Sequence, residues 1–249
     1  MKSLILTLLV VVSFVSFANA QNIGPATPVV NISGGVASPN IGVGYSYIQS
    51  EWDIDGAGDV EMEQNQVYAH IGAVFGDEST SNYEVFARIG VADLEDDDDL
   101  DFDADEELMF AVGMRNEFFQ GQVFGIGGVL QVSYIDSFDD NTTVRLGGTD
   151  FDVKTSIESV VDAELAFPVQ VKANNALFYF GPVAYISTAD IDVKVSNGFV
   201  SASDDTDIDE NHNLGAYGGL AWRTENMSFE LEGKYKSDLS VGGFVSFVF

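Results

Sequence analysis

Carboxylates are the groups in this sequence best placed to do chemistry. Asp93, Glu95, Asp96, Asp97, Asp98, Asp99, Asp101, Asp103, Asp105, Glu106 and Glu107 crowd one stretch, and Asp204, Asp205, Asp207, Asp209 and Glu210 crowd another. Like charges this close repel, and a hard divalent cation that gathers six or more oxygens relieves the repulsion. Asp97, Asp99, Asp101, Asp103 and Asp105 are therefore the candidate ligands for Ca2+ or Mg2+. Their spacing begins as a calcium loop does, but Ala104 stands where such a loop turns on glycine, and no helix pattern flanks it. Against this stands the plainer reading of solvated outer loops whose charge keeps the surface soluble and non-adherent. Between them lies loose Ca2+ or Mg2+ bridging to lipopolysaccharide phosphates, which needs no ordered site.

The remaining chemistry is sparse. Asp53-x-Asp55 and Glu210-x-His212 together would supply an acidic pair and a carboxylate–histidine pair able to activate water. His70 shares a strand face with Tyr68 and has no evident serine partner, so it reads as a hydrogen-bonded interior histidine. The absence of cysteine excludes a disulfide framework and thiolate metal sites. No bound cofactor is indicated. A net charge of -30, with only 10 Lys and Arg residues, argues against nucleic acid as a partner.

The elements that must position these groups are strands. Residues 1–20 read as a signal peptide: basic Met1-Lys2, an apolar run from Leu4 to Phe17, and an Ala18-Asn19-Ala20 cleavage site. After it no apolar run approaches the length of a membrane helix, although 46% of the chain is hydrophobic. Alternation of period two predicts ten strands, near 39–51, 60–75, 83–92, 107–118, 122–136, 151–172, 176–195, 211–224, 227–236 and 239–249. An eight-strand count follows if two of these merge or lie apart. Met227, Phe229, Leu231 and Tyr235 take one face of their segment and Ser228, Glu230, Glu232 and Lys234 the other.

The same split sets Tyr83, Val85, Ile89 and Val91 against Glu84 and Arg88. It also sets Leu108, Phe110, Val112 and Met114 against Arg115, and Ile157, Val161, Leu165 and Val169 against Glu158, Asp162, Glu164 and Lys172. The segment 177–195 is apolar on both faces and has no evident orientation. Connections at 76–82, 119–121, 173–175 and 224–226 are short, whereas three of those between them, outside loops at 93–106, 137–150 and 196–210, are long, which is the parity of an up-and-down barrel crossing a membrane. The apolar faces then meet lipid, and Glu84, Arg88, Arg115, Arg223, Glu230, Glu232 and Lys234 line the lumen. Residues 21–38 show no alternation and read as a periplasmic tail or partial plug, leaving 39–249 as the barrel.

Over 39–249 the chain resembles the bacterial outer-membrane β-barrel proteins. Ile41-Gly-Val-Gly-Tyr-Ser-Tyr47 is similar to the first strand, and Trp222 to Tyr235 to the last hairpin, of small opacity-type or porin-family barrels. In that family a final strand ending in Phe is read by the barrel-assembly machinery, a role the resemblance gives to Val245, Phe247 and Phe249. It implies an all-β, transmembrane antiparallel barrel in the outer membrane, in contact with its lipids and lipopolysaccharide. The role expected is structural or passive, and non-enzymatic. The alternatives are binding of divalent cations, lipopolysaccharide or another surface ligand through the acidic loops, a narrow pore for small solutes, and an omptin-like rim protease built on Asp53, Asp55, Glu210 and His212. For the last, the flanking omptin sequence is absent.

Overall fold

The computed structural model describes residues 38–54, 58–76, 82–96, 102–146, 149–196, 201–210, 213–224, 226–236 and 238–249. The segments 1–20 and 21–37 lie outside them. All described regular structure is strand: β1 (Ser38–Ile54), β2 (Gly58–Phe75), β3 (Tyr83–Asp96), β4 (Asp103–Gln120), β5 (Phe124–Leu146), β6 (Thr149–Ala166), β7 (Val169–Ala173), β8 (Ala176–Ser196), β9 (Ser201–Glu210), β10 (Leu214–Arg223), β11 (Met227–Tyr235) and β12 (Leu239–Val248). Every pairing is antiparallel.

Twelve segments make ten staves. β6 and β7 both pair with β8 and form one stave, broken at Phe167-Pro168, where the proline has no N–H to give the ladder. β9 and β10 likewise share β8 as partner and form another. The ring closes where β12 pairs with β1, from Asn40↔Val248 to Tyr47↔Val241. Above the short β11–β12 hairpin, β9 pairs with β1 directly, at Trp52↔Glu210 to Ile54↔Ile208.

Strand parity sorts side chains by chemistry. On β11, Leu231 is 66% exposed and its neighbour Glu232 is 6% exposed. Val43, Ile71, Val85, Val112, Phe180 and Phe247 extend the exposed apolar face round the ring. Such a band suits lipid, where a closed ladder satisfies every backbone group and polar side chains turn inward. Two close approaches shape the wall. A Cβ on Gly44 would meet the Tyr68 ring at 2.2 Å, and one on Gly219 the Tyr179 hydroxyl at 2.3 Å, so each glycine is covered by an aromatic from the neighbouring stave.

Beyond the band, marked by Tyr45, Val67, Val91, Leu108 and Tyr134, the polarity inverts. The strands continue, but their outer faces carry Glu51, Glu63, Asp93, Glu95, Asp103 and Asp139, while Trp52, Met62, Leu94, Phe138, Ile157 and Ile191 pack inside as an apolar core. β5, β6, β8 and β9 reach furthest and form a four-stranded sheet outside the bilayer. Where they are described, the stretches expected as loops at 93–106, 137–150 and 196–210 are thus largely strand, because an acid-bearing strand is stable wherever its other face has a core to cover.

A bulge marks the boundary. β6 bulges against β8 between Glu158 and Val161, Ser159 has φ of 56°, and across from it the β5–β6 register runs unshifted past the unpaired Asp136 and Ser159. The unpaired residues put Ile135 and Phe138 on the same inner face, and Val160 and Ile157 likewise. Strict alternation had placed Ile157 outside with Val161, and Glu158 inside; Ile157 is instead buried and Glu158 exposed. β8, which alternation left unoriented, turns Leu177, Tyr179, Val183 and Tyr185 inward and Phe178 and Phe180 to lipid. Truncating the extramembrane core should cost as much as in a soluble protein. Phe138→Ala is expected to destabilise the barrel by about 3–5 kcal/mol, read from denaturant unfolding in detergent.

Candidate functional site

The lumen at membrane level is filled by ionised side chains that brace staves far apart in sequence. Arg115 on β4 sets its Nε 2.9 Å from Glu84 Oε2 on β3, and its Nη1 3.9 Å from Glu230 on β11. Asn40 on β1 donates to Glu84 Oε1 at 3.0 Å, and His70 Nε2 lies 3.0 Å from the same oxygen. The Arg88 Nε–H donates to His70 Nδ1 at 3.3 Å, which fixes the ring as the neutral tautomer with its proton on Nε2, facing Glu84. Arg88 then reaches β5, donating from Nη1 to Gln131 at 2.7 Å, and its guanidinium lies 4.7 Å from the Phe86 ring centre and 5.2 Å from that of Tyr68.

A second group sits beside the first. Lys234 on β11 is 3.1 Å from Glu164 on β6 and 3.4 Å from Glu232. Asp162 accepts from Ser133 at 3.0 Å and Ser187 at 2.8 Å. Lys236 rides 4.1 Å above the Tyr185 ring. At the end with the brief connections, Lys172 is 3.4 Å from Glu117, which also accepts from Gln170. Lys172 and Arg223 there border an open depression of about 440 Å3 together with Asn174, Asn175 and Thr224.

The network balances itself. Glu84, Glu117, Asp162, Glu164, Glu230 and Glu232 face Arg88, Arg115, Lys172, Arg223, Lys234 and Lys236. Six of the chain's ten cationic side chains therefore lie in the lumen. Signs are interleaved rather than segregated to opposite walls. Glu84, Arg88, Arg115, Glu230, Glu232 and Lys234 are all buried, and Arg223 is part-buried at the mouth. Sequence reasoning passed over Glu117 and Lys236, although each lies two residues beyond a charge it did assign, Arg115 and Lys234, and so shares its face.

The acidic candidates stand elsewhere. Asp97, Asp99 and Asp101 lie outside the described residues, while Asp103 and Asp105 are exposed on the outer face of β4 with Ala104 buried between them. Among the described residues, no group of three or more His, Asp or Glu side chains is disposed to hold a metal ion. Asp55 and His212 are also outside the described residues. The backbones of Asp53 and Asp209 pair, which sets the two strand ends expected to carry a rim hydrolase side by side. On β12, Phe247 and Phe249 are exposed, and the Phe249 N–H donates to the Pro39 carbonyl at 3.0 Å.

Removing one partner of a buried pair strands the other's charge. Glu84→Gln should cost about 3–5 kcal/mol in urea unfolding from detergent, and Glu84→Gln with Arg115→Met should cost clearly less than the sum of the two single changes.

No family model and no curated protein sequence matches this chain. Solved structures do. The toluene transporter TodX of Pseudomonas putida is similar at a TM-score of 0.50 and 7% identity, with 85% of this chain and 89% of that one covered. The COG4313 outer membrane channel from Pseudomonas putida F1 gives 0.45 and 8%, over 92% and 100%. The outer membrane protease OmpT from Escherichia coli gives 0.47 and 8%, over 88% and 96%. At such identities the likeness is one of fold. With the closed ring, the exposed apolar band and the polar lumen, it gives this chain the fold of the outer-membrane β-barrels, built here from ten staves.

Proposed function

We propose that this chain is a closed barrel of the bacterial outer membrane with a structural or passive role, holding a rigid, acid-coated extension outside the bilayer. The observation that carries this reading is the filling of the interior in two tiers. Glu84 and Arg115 are 0% and 2% exposed in the polar tier, and Ile157 and Phe138 are fully buried in the apolar tier beyond it. A hydrated pore for small solutes needs continuous wettable space, whereas here charges of opposite sign neutralise one another across the lumen and an apolar core lies in series with them. Export through a cleaved signal peptide and insertion by the assembly machinery through Val245, Phe247 and Phe249 belong to the same proposal. In planar bilayers the refolded chain is expected to give no stable conductance, and steady large unitary currents would sink the closed-barrel reading.

A second role is favoured by the outer wall. Glu63, Asp93, Glu95 and Asp103 come together on β2, β3 and β4 just beyond the apolar band. Partial desolvation, then the carboxylates of Asp103, Asp93 and Glu63, hold the Glu95 carboxyl above the usual range. Divalent cations that screen this wall and bridge it to lipopolysaccharide phosphates would relieve the same repulsion.

An acid whose pKa is raised on folding binds its proton more readily folded than unfolded. Its ionisation therefore costs stability at neutral pH, and the cost vanishes as the pH falls below the unfolded value. The melting temperature should gain from Glu95 as the pH falls from neutral to below about 4.3, and Glu95→Gln should raise it at pH 7 while flattening that dependence. Calcium titration by calorimetry tests the cation reading. Saturable heat with a raised melting temperature supports it, and no heat removes it.

A further inference from the structure

We propose that the extension beyond the membrane carries a strand-addition site. The free edge of β5 over residues 136–146 takes an extended basic peptide segment of another protein, which lies in an acid-lined notch beside β4.

The notch follows from the register. The β4–β5 ladder ends at Met109↔Ile135, yet β5 continues paired with β6 as far as Leu146↔Thr149. Out to Asp103, β4 keeps only the pairing with β3 along its other edge, which runs from Asn116. Among the described residues, no strand partners β5 on its β4 side above Ile135. An edge of this length presents a row of N–H and C=O groups at strand spacing, on the order of 30 Å long.

The edge is held in place. β6, β8 and β9 back it in one sheet, Phe138 anchors its base in the buried core, and Ser156 and Lys154 tie Asp139 to β6. A preordered edge costs an incoming strand only its own ordering.

Charge selects the occupant. Asp103, Asp105 and Glu106 on β4 and Asp136, Asp139 and Asp140 on β5 flank the notch. The cation on this edge, Arg145, is already 3.3 Å from Asp150 across the hairpin. A second copy would bring the same carboxylates against themselves, while a basic segment brings their complement. Between the acids, Asn141-Thr142-Thr143-Val144 is neutral and rich in β-branched residues, suited to pairing. The edge has neither of the usual guards, since no lysine or proline occurs from 136 to 146.

The test uses the full chain refolded in detergent micelles and synthetic peptides of about ten residues with alternating Lys and Val. The basic peptide should bind, its Glu/Val counterpart should not, and bound peptide should slow amide exchange within 137–146. N-methylation of every second peptide amide blocks one edge of the peptide. In one of the two phases it should weaken binding about tenfold or more, and in the other leave it near the parent value. Asp105→Asn with Asp140→Asn should weaken binding while leaving the thermal melt intact. Equal binding of both methylated peptides would reduce the interaction to bulk charge attraction and overturn the proposal. So would protection elsewhere, absence of binding at low salt, or concentration-dependent pairing of the chain through this edge without peptide.

Discussion

Lipid offers no hydrogen-bonding partner, and in this chain that constraint sets the direction of every side chain across the bilayer. Ten staves closed on themselves leave no open edge within the apolar band, so the backbone is satisfied by neighbours alone. Alternation then gives each strand one face for acyl chains and one that lipid never touches. The polar residues collect on the inner face, where a charge is tolerable only if another neutralises it. The bonds from β4 to β11, β11 to β6 and β3 to β5 are how that neutrality is reached, and they turn a flexible ring into a cross-braced one.

Where the lipid ends, the same alternation serves the opposite purpose. Water now meets the outside, and the inside must be apolar for the wall to stand. The change occurs within single strands. β5 runs from lipid-facing Val132 to water-facing Asp139, and its inner residues run from Gln131 to Phe138. Parity on β5 and β6 changes at the unpaired Asp136 and Ser159, beside the β6–β8 bulge between Glu158 and Val161. Among the described residues, acids such as Glu51, Glu63, Asp93, Glu95, Asp103 and Asp139 coat this outer wall, whereas six of the chain's ten cations face six carboxylates in the lumen.

Much of this was legible in sequence because lipid imposes so strict a rule. The ten staves, the brief connections and the inward faces of β3, β4 and β11 follow from counting by twos. What escaped did so for physical reasons. Glu158 and Ile157 were assigned to the wrong faces because a bulge is invisible to strict alternation. The strands in 93–106, 137–150 and 196–210 were hidden because aspartate is a poor strand former, and the core that compensates, Trp52, Phe138, Ile157 and Ile191, is assembled from four distant segments. Charges at the lumen were readable one by one, but which of them meet depends on curvature that no local pattern encodes.

The pairing of Trp52 with Glu210 means that the ring is closed twice, once through the β11–β12 hairpin and once by β1 meeting β9 above it. Both seams join residues far apart along the chain, and neither is reached by extending a local hairpin. The entropy of bringing such distant ends together is lost before either seam returns any energy. Assembly of the wall is therefore an all-or-none event whose final step is topological: an incomplete ring has gained its hairpins but none of its closure, and the chain has no comfortable stopping place between an open sheet and a finished barrel.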